Sequence, residues 1–147
     1  MMADPEKRLE AMVAVLKEHG LRITPQRLAV LKILAKSENH PEVDWIYRSI
    51  KKDFPTTSLA TVYKTIHLLK ELNQVLELGF ADRGSRYDGN KPYPHPHIIC
   101  TSCGAIVDPE FSGMEELDTE MTEKSGYEIT HHRLDFFGLC PLCLKGK

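Results

Sequence analysis

No apolar run in this sequence approaches the roughly 20 residues that a membrane-spanning helix needs. The amino terminus also lacks the basic-then-apolar pattern of a secretory signal. The expectation is a cytoplasmic protein with no membrane partner. Internal repeats and low-complexity segments are missing too. So is a strong charge of either sign: 19 Lys+Arg stand against 21 Asp+Glu, a formal net charge of −2, which argues against non-specific polyanion binding by the whole chain. The balance is uneven, however. Residues 1–88 carry 14 Lys+Arg and 12 Asp+Glu, whereas 89–147 carry 5 and 9, so the first part is the better candidate to meet phosphate. Cysteine is absent everywhere except at four positions.

Those four are Cys100, Cys103, Cys140 and Cys143, two Cys-x-x-Cys pairs with no thiol left over. Two residues between thiolates let a short turn bring both sulfurs to about 3.5–4 Å on one metal ion, and two such turns close a tetrahedron. Gly104 after the first pair, and Gly138 and Pro141 around the second, supply tight-turn chemistry. The expectation is one zinc ion with no open coordination position, hence structural and not catalytic. Redox-active or idle thiols are the plainer alternative. A chain of 147 residues holds one moderate domain or two small ones, and a metal staple offsets a small core.

The first part reads as helices with clear punctuation. Asp4-Pro5 opens a helix whose Leu9, Met12, Val13 and Leu16 share one face, and Gly20 stops it. Thr24-Pro25 opens a second with Leu28, Leu31 and Leu34 as its stripe, closed off by His40-Pro41. Trp45, Ile46 and Ile50 mark a third, ending before Phe54-Pro55. Ser58 caps a fourth over residues 58–72, with Leu59, Val62, Ile66 and Leu69 at the spacing of a buried face. After Asn73 the period becomes that of strands, at 75–80 and 86–88 around a turn at Asp82-Arg83-Gly84-Ser85. Helices followed by a hairpin predict a winged helix-turn-helix domain over 1–88. Residues 89–96, rich in proline and glycine, read as a linker or hinge. Residues 97–147 read as a small zinc-stapled α/β domain with strands at 97–100, 105–108 and 127–137. A helix over 113–125 turns Met114, Leu117 and Met121 inward and stops at Gly126. The fold class is α+β.

The outer side of residues 58–72 presents Thr61, Tyr63, Lys64, His67 and Lys70. A helix that enters the major groove needs such a mixture over an apolar inner face. Thr61 and Tyr63 can touch thymine methyls, Lys64 and Lys70 can neutralise phosphates, and the helix start at Ser58 can donate to one. Lys17 and Arg22, on either side of Gly20, are candidates for backbone contacts. An ordinary solvated helix face is the competing explanation. The hairpin that follows, a second contact element, favours DNA.

His95-Pro96-His97 places two imidazoles on one side of an extended strand, where they can share an ion. Asp88, Asp108 and His40 are further candidates. Imidazole and carboxylate together suit iron(II) or manganese(II). Each residue also has a plainer reading, His40 as a surface turn, Asp88 as a turn former and Asp108 as a strand end. Of His131 and His132, which alternate on a strand, one can simply face solvent.

These residues together resemble the ferric uptake regulator superfamily of bacterial metal- and stress-responsive repressors, over nearly the whole chain. The stretches that carry the resemblance are Leu21-Arg22-Ile-Thr24-Pro-Gln26-Arg27, Ser58-Leu-Ala-Thr61-Val-Tyr63, Arg86-Tyr-Asp88, His95-Pro-His97-Ile-Ile-Cys100-Thr-Ser-Cys103-Gly104, and His131-His132-Arg133-Leu with Gly138-Leu-Cys140-Pro-Leu-Cys143. The resemblance implies a homodimer, an amino-terminal domain that binds double-stranded operator DNA, and a carboxy-terminal dimerisation domain with a four-cysteine zinc. It also implies a regulatory ion, held between the domains by His40, Asp88, His95, His97 and Asp108. Iron-sensing members usually show glutamate at the place of Asp108 and often at that of Asp88, whereas the peroxide-sensing branch has aspartate at both. Many iron regulators carry a further metal site, and Pro94 and Pro96 take the places of two of its ligands. Glu115 and His132 match the other two, so that site is expected to be absent or incomplete. The implied function is a metal-dependent repressor that senses peroxide through iron-catalysed oxidation of its own ligands, at His40 or His95. A repressor responding to iron, manganese or zinc sufficiency is the alternative. An enzyme is not expected, since the Cys-x-x-Cys pairs lack the strand-to-helix setting of a dithiol oxidoreductase.

Overall fold

The computed structural model describes residues 4–36, 40–80 and 84–146, and the Phe80 side chain is not described. One compact unit closes at Pro92 and a second opens at Tyr93. The first contains α1 (Pro5–Glu18), α2 (Pro25–Lys36), α3 (Val43–Lys51) and α4 (Leu59–Glu71), then β1 (Leu76–Phe80) and β2 (Gly84–Asp88). The helix starts are set by side chains that accept backbone N–H groups otherwise left without partners. Asp4 accepts from Glu6 N at 3.0 Å, Thr24 Oγ1 from Arg27 N at 3.2 Å, and Ser58 Oγ from Thr61 N at 3.1 Å. Gly20, at φ +70°, turns the chain out of α1.

The core of this unit joins Met12 and Leu16 of α1, Val30, Leu31 and Leu34 of α2, Ile46 and Ile50 of α3, and Val62, Ile66 and Leu69 of α4. β1 and β2 pair antiparallel, Leu76 opposite Asp88, forming the wing. Of the turn expected at 82–85, Asp82 and Arg83 lie outside the described residues, while Gly84 and Ser85 open β2. Two expected packing roles change. Trp45 stands 52% exposed on α3, whose buried residues are Val43, Ile46 and Ile50. On α4, Leu59 is 37% exposed and Thr65 takes its place inside, its hydroxyl donating to Thr61 O at 3.0 Å. A threonine can be buried on a helix by this back-bond, so apolar spacing alone misassigned the first turn.

The second unit holds β3 (His97–Cys100), β4 (Ile106–Val107), α5 (Met114–Ser125), β5 (Asp135–Gly138) and α6 (Pro141–Lys145). Its sheet runs β4-β3-β5, with β4 antiparallel and β5 parallel to β3. α5 ends where expected, with Gly126 at φ +74° as its left-handed cap. Its inward face forms only in part: Met114 and Leu117 are half-buried, Met121 is 47% exposed, and no residue of α5 is fully buried. The strand expected over 127–137 is likewise shorter, because 127–134 has no ladder partner among the described residues. Alternating hydrophobicity encourages an extended chain, but a strand exists only where a neighbour accepts its hydrogen bonds. The short helix α6 was not expected; Pro141 at its first turn starts it.

Candidate metal centres and nucleic-acid interface

The parallel pairing of β3 and β5 sets Cys100 opposite Gly138, which draws the two cysteine knuckles together. Thr101 N donates to Gly138 O at 2.8 Å, and Gly104, at φ +80°, returns its N–H to Cys100 O at 3.0 Å. Ligand atoms of Cys100, Cys103, Cys140 and Cys143 lie within 4.8 Å of one another. Cys103 and Cys140 sulfurs are 3.8 Å apart, the separation expected of two sulfurs each about 2.3 Å from one tetrahedral zinc. Backbone N–H groups of Cys103 and Cys140 point at the Cys100 sulfur from 3.5 and 3.4 Å. Those N–H groups draw the Cys100 thiol down to about 5. Cys143 is instead pushed up to about 11: the Ser102 side chain lowers it, but hydrogen bonding to the Cys140, Cys100 and Cys103 sulfurs, with burial, outweighs that. One thiol ionises readily and another resists, so four thiolates in this space call for a cation. The donor set fits zinc.

The histidine and aspartate candidates form a group in each unit. In the first unit His40 is 1% exposed, not a surface turn, and holds a left-handed backbone at φ +49° that residues other than glycine rarely adopt. β2 holds it there: the Arg86 side chain donates to His40 O, and Tyr87 N donates to Pro41 O at 3.0 Å. Asp88 accepts Asn90 N and Lys91 N, both at 2.9 Å, on Oδ1, which leaves Oδ2 facing His40 Nε2 at 3.3 Å. Asn90 is itself anchored through its amide to Ala35 O at 2.8 Å. Gly89 packs so closely that a Cβ would lie 2.7 Å from Leu34 Cβ and 2.8 Å from Met12 Cε. The end of the wing is thereby fixed against α1 and α2, with Arg8 Nε donating to Gly89 O at 2.9 Å.

In the second unit His95 and His97 lie side by side with ring centres 4.4 Å apart. Asp108 meets both, Oδ2 at 3.4 Å from His95 Nε2 and Oδ1 at 3.5 Å from His97 Nε2. His95 Nδ1 is anchored on Tyr93 O at 2.7 Å, and His97 Nδ1 faces Asp135 Oδ1 at 3.7 Å. Separations of 3.3 to 3.5 Å are long for a charge-assisted hydrogen bond. They suit donors that share an ion, since two atoms about 2.1 Å from one metal lie about 3.0 Å apart at right angles and about 3.6 Å apart at 120°. In each group the mixture of imidazole and carboxylate fits a hard or borderline divalent ion. Asp135 carried no sequence signal as part of this arrangement; only the register His97 to Asp135 brings it behind the ring. Of the residues matched to a further site, Glu115 is exposed, and His132 Nδ1 meets Asp118 Oδ1 at 2.7 Å.

On the outer face of α4, Thr61, Tyr63, Lys64 and His67 are exposed, and Ser58 caps the helix. Lys17 and Arg22 are also exposed. Lys70 departs from its expected phosphate role, because its ammonium is paired with Glu77 on the wing. That pairing belongs to a small network: hydrogen bonding to Lys70 holds Glu77 below its usual range, and Tyr87 donates to Glu77 Oε1 at 3.1 Å. Burial, with the Glu77 carboxylate beside it, pushes the Tyr87 phenol up to about 12, so it stays a donor. The network ties wing to helix.

The sequence model of the ferric uptake regulator family matches residues 18–137. The peroxide-responsive repressor PerR of Staphylococcus aureus is 40% identical over 138 residues, covering 94% of this chain and 93% of that protein. The chain belongs to the ferric uptake regulator family. The crystal structure of the Campylobacter jejuni peroxide stress regulator is similar with a TM-score of 0.72 at 38% identity, covering 89% of this chain and 98% of that one. The Helicobacter pylori ferric uptake regulator, whose structure reveals three functional metal binding sites, gives a TM-score of 0.78 at 29% identity, covering 96% and 94%. As a family member the chain has the α+β fold of these regulators, a winged helix unit followed by a small α/β unit. None of its described helices is long and apolar enough to cross a membrane.

Proposed function

We propose that this chain is a homodimeric, metal-dependent repressor of transcription that binds operator DNA and senses peroxide through oxidation of its own metal ligands. The observation that carries this reading is that each unit holds its own buried group of histidine and aspartate donors, His40 with Asp88 in the first and His95, His97 and Asp108 in the second. Two histidines and one carboxylate, as at His95, His97 and Asp108, suit a first-row divalent ion, and in this reading His40 and Asp88 complete the set to five. Similarity to two peroxide regulators supports the sensing role, and the relatives are repressors and regulators by name, which supports a cytoplasmic regulator over an enzyme. In this reading Cys100, Cys103, Cys140 and Cys143 hold a structural zinc, and residues 1–88 and 97–147 serve DNA binding and dimerisation, with 89–96 as the hinge. The apolar surface left on the second unit, Met121, Tyr127, Phe136 and Phe137 among it, is what a second copy would cover.

His40, Asp88, His95, His97 and Asp108 would hold the regulatory ion, and iron(II) there would supply reducing power toward peroxide. His40 and His95 offer their Nε2 lone pairs to the ion, and the hydrogen bond from Nδ1 to Tyr93 O keeps the His95 ring turned that way. Asp108 spans both rings of the second unit, one carboxylate oxygen toward each. Transfer of one peroxide oxygen to an imidazole carbon, the other leaving as water, is a two-electron oxidation that peroxide itself supplies, and it would remove a donor and end metal-dependent DNA binding.

Sharing of one ion makes a direct test. His40→Ala in one unit and His97→Ala in the other should each weaken manganese binding by about 100-fold or more, and each should abolish manganese-activated DNA binding. Zinc should remain at one ion per chain in both. Titration calorimetry with metal analysis checks this, and full manganese affinity in His40→Ala would show that the two groups work separately.

DNA recognition is assigned to α4, with Ser58, Thr61, Tyr63 and Lys64 at the duplex and Lys17 and Arg22 on the backbone. Tyr63→Ala should weaken binding to a duplex selected from a random library by about 1–3 kcal/mol while sparing unrelated duplexes. Lys64→Ala should weaken both alike and reduce the salt slope by about one. Fluorescence anisotropy at matched salt measures these effects, and an unchanged affinity for Tyr63→Ala removes this helix from the reading face.

A further inference from the structure

Beside the exposed face of α4 lies a groove of about 610 Å³ formed where the turn after α1, the start of α2 and the start of α4 meet. Arg22, Thr24, Arg27, Thr57, Ser58 and Thr61 are among its lining residues. Among the described residues that line it there is no carboxylate. We propose that this groove seats one phosphate of the DNA backbone, with the Thr57 hydroxyl as its buried donor. The proposal rests on α4 being the helix that enters DNA.

Two helices of ordinary length, α2 and α4, begin at this groove, and the positive ends of both peptide dipoles favour an anion there. Helix ends alone are common. Thr57 is not: it is 7% exposed, yet its Oγ1 has no hydrogen-bond partner among the described residues. Its backbone N–H is already used, donating to Phe54 O at 3.0 Å, so only the hydroxyl is left over. A buried hydroxyl without an acceptor is costly, and proteins seldom keep one that water, an ion or a ligand does not complete. One rotamer step about χ1 is enough to swing a threonine hydroxyl from one side to another. Of the other lining hydroxyls, Thr24 Oγ1 accepts Arg27 N at 3.2 Å, Ser58 Oγ and Thr61 Oγ1 meet each other at 2.9 Å, and that of Thr56 is on an exposed residue open to water.

Charge is supplied from the other wall. Arg27 Nη1 donates to Arg22 O at 2.9 Å, which pins the loop between α1 and α2 and holds the exposed Arg22 over the mouth. A diester continues in two directions and needs an open mouth, as this groove has. Phosphate contacts of this kind carry no sequence information, but they fix the depth and register at which a reading helix enters its groove. A phosphate held at the start of α4 would set where Tyr63 and Lys64 fall.

The test uses the manganese-loaded full chain and a duplex selected from a random library, with single phosphates replaced in turn by neutral methylphosphonate. Wild type should lose about tenfold in affinity at one phosphate position per half-site, the size of a charge-assisted hydrogen bond. Thr57→Val should bind the unmodified duplex about tenfold more weakly and be indifferent to methylphosphonate at that position. Thr57→Ser should restore both, and Tyr63→Ala should keep the phosphate sensitivity while losing sequence preference. Thr57→Val binding as wild type, or keeping its sensitivity at every phosphate, overturns the proposal while leaving the repressor reading standing. Wild type that binds no duplex with manganese overturns both. If calorimetry shows inorganic phosphate binding that depends on Thr57 and no phosphate of the duplex does, the groove serves a free anion and the proposal fails.

Discussion

Hydrogen peroxide is expected to release the iron(II)-loaded protein from its duplex and to leave the manganese(II)-loaded protein bound. Both ions suit three imidazoles and two carboxylates, so both should draw the units together and support DNA binding. They differ in redox chemistry, since iron(II) readily reduces peroxide and manganese(II) does not. The damage should appear as one added oxygen atom on a peptide containing His40 or His95. These rings are buried and held with Nε2 toward a carboxylate, 3.3 Å from Asp88 and 3.4 Å from Asp108, so an oxidant made among those groups meets an imidazole first. His97 is 1% exposed against 9% for His95, which leaves it the more shielded of the neighbouring pair. Cysteine disulfides should not form while the thiolates are held on zinc. Asp108→Glu should keep metal-dependent DNA binding yet blunt the peroxide response, because the longer arm alters how the carboxylate fills the coordination shell. Mass spectrometry after a brief pulse decides the matter. Released DNA with unmodified histidines, or no release at all, leaves a repressor that responds to metal sufficiency.

Cys140→Ser should cost the protein its zinc and unfold or monomerise the second unit. Structural zinc in small modules contributes about 10 kcal/mol of apparent folding free energy, more than a unit this small can replace. Within the chain its buried apolar residues are Ile99, Cys100 and Ile106, and α5 buries none. Burial of a few side chains stabilises by about 1.5–3 kcal/mol each before the entropy of ordering is met. Cys140 also donates its N–H to the Cys100 sulfur at 3.4 Å and precedes Pro141 at the start of α6, so loss of the ion loosens both knuckles. Zinc per chain by elemental analysis, with circular dichroism and sedimentation, provides the readout. One zinc and an intact dimer in Cys140→Ser would remove the four-cysteine assignment.

Much of the architecture was legible because it depends on neighbours in sequence. Asp4, Thr24 and Ser58 accept N–H groups two or three residues away, and Gly126 caps α5 by its own positive φ. Paired knuckles with no spare thiol likewise announce a closed thiolate cluster through spacing alone. Periodicity located α1 to α4 and the wing, since each periodic stripe needs only one face to be buried. Lys70 shows where that reasoning stops: helical spacing placed it on the outer face, and only the fold brings Glu77 to its ammonium.

Composition and spacing by themselves determined which residues could bind metal and which helix could meet DNA, because ligand chemistry and local turns are written in residue type. Tertiary structure alone decided how those residues are held. The parallel register of β3 and β5 sets Cys100 against Gly138 and His97 against Asp135, a pairing of residues some forty positions apart that no local pattern encodes. Close packing of Gly89 on Leu34 and Met12, and the stitching of β2 to His40 and Pro41, turn two separate sequence candidates, His40 and Asp88, into one buried pair. Hydrogen bonds across sheets and contacts across a core depend on which distant segments meet, and their energies select among folds that the same local preferences would permit.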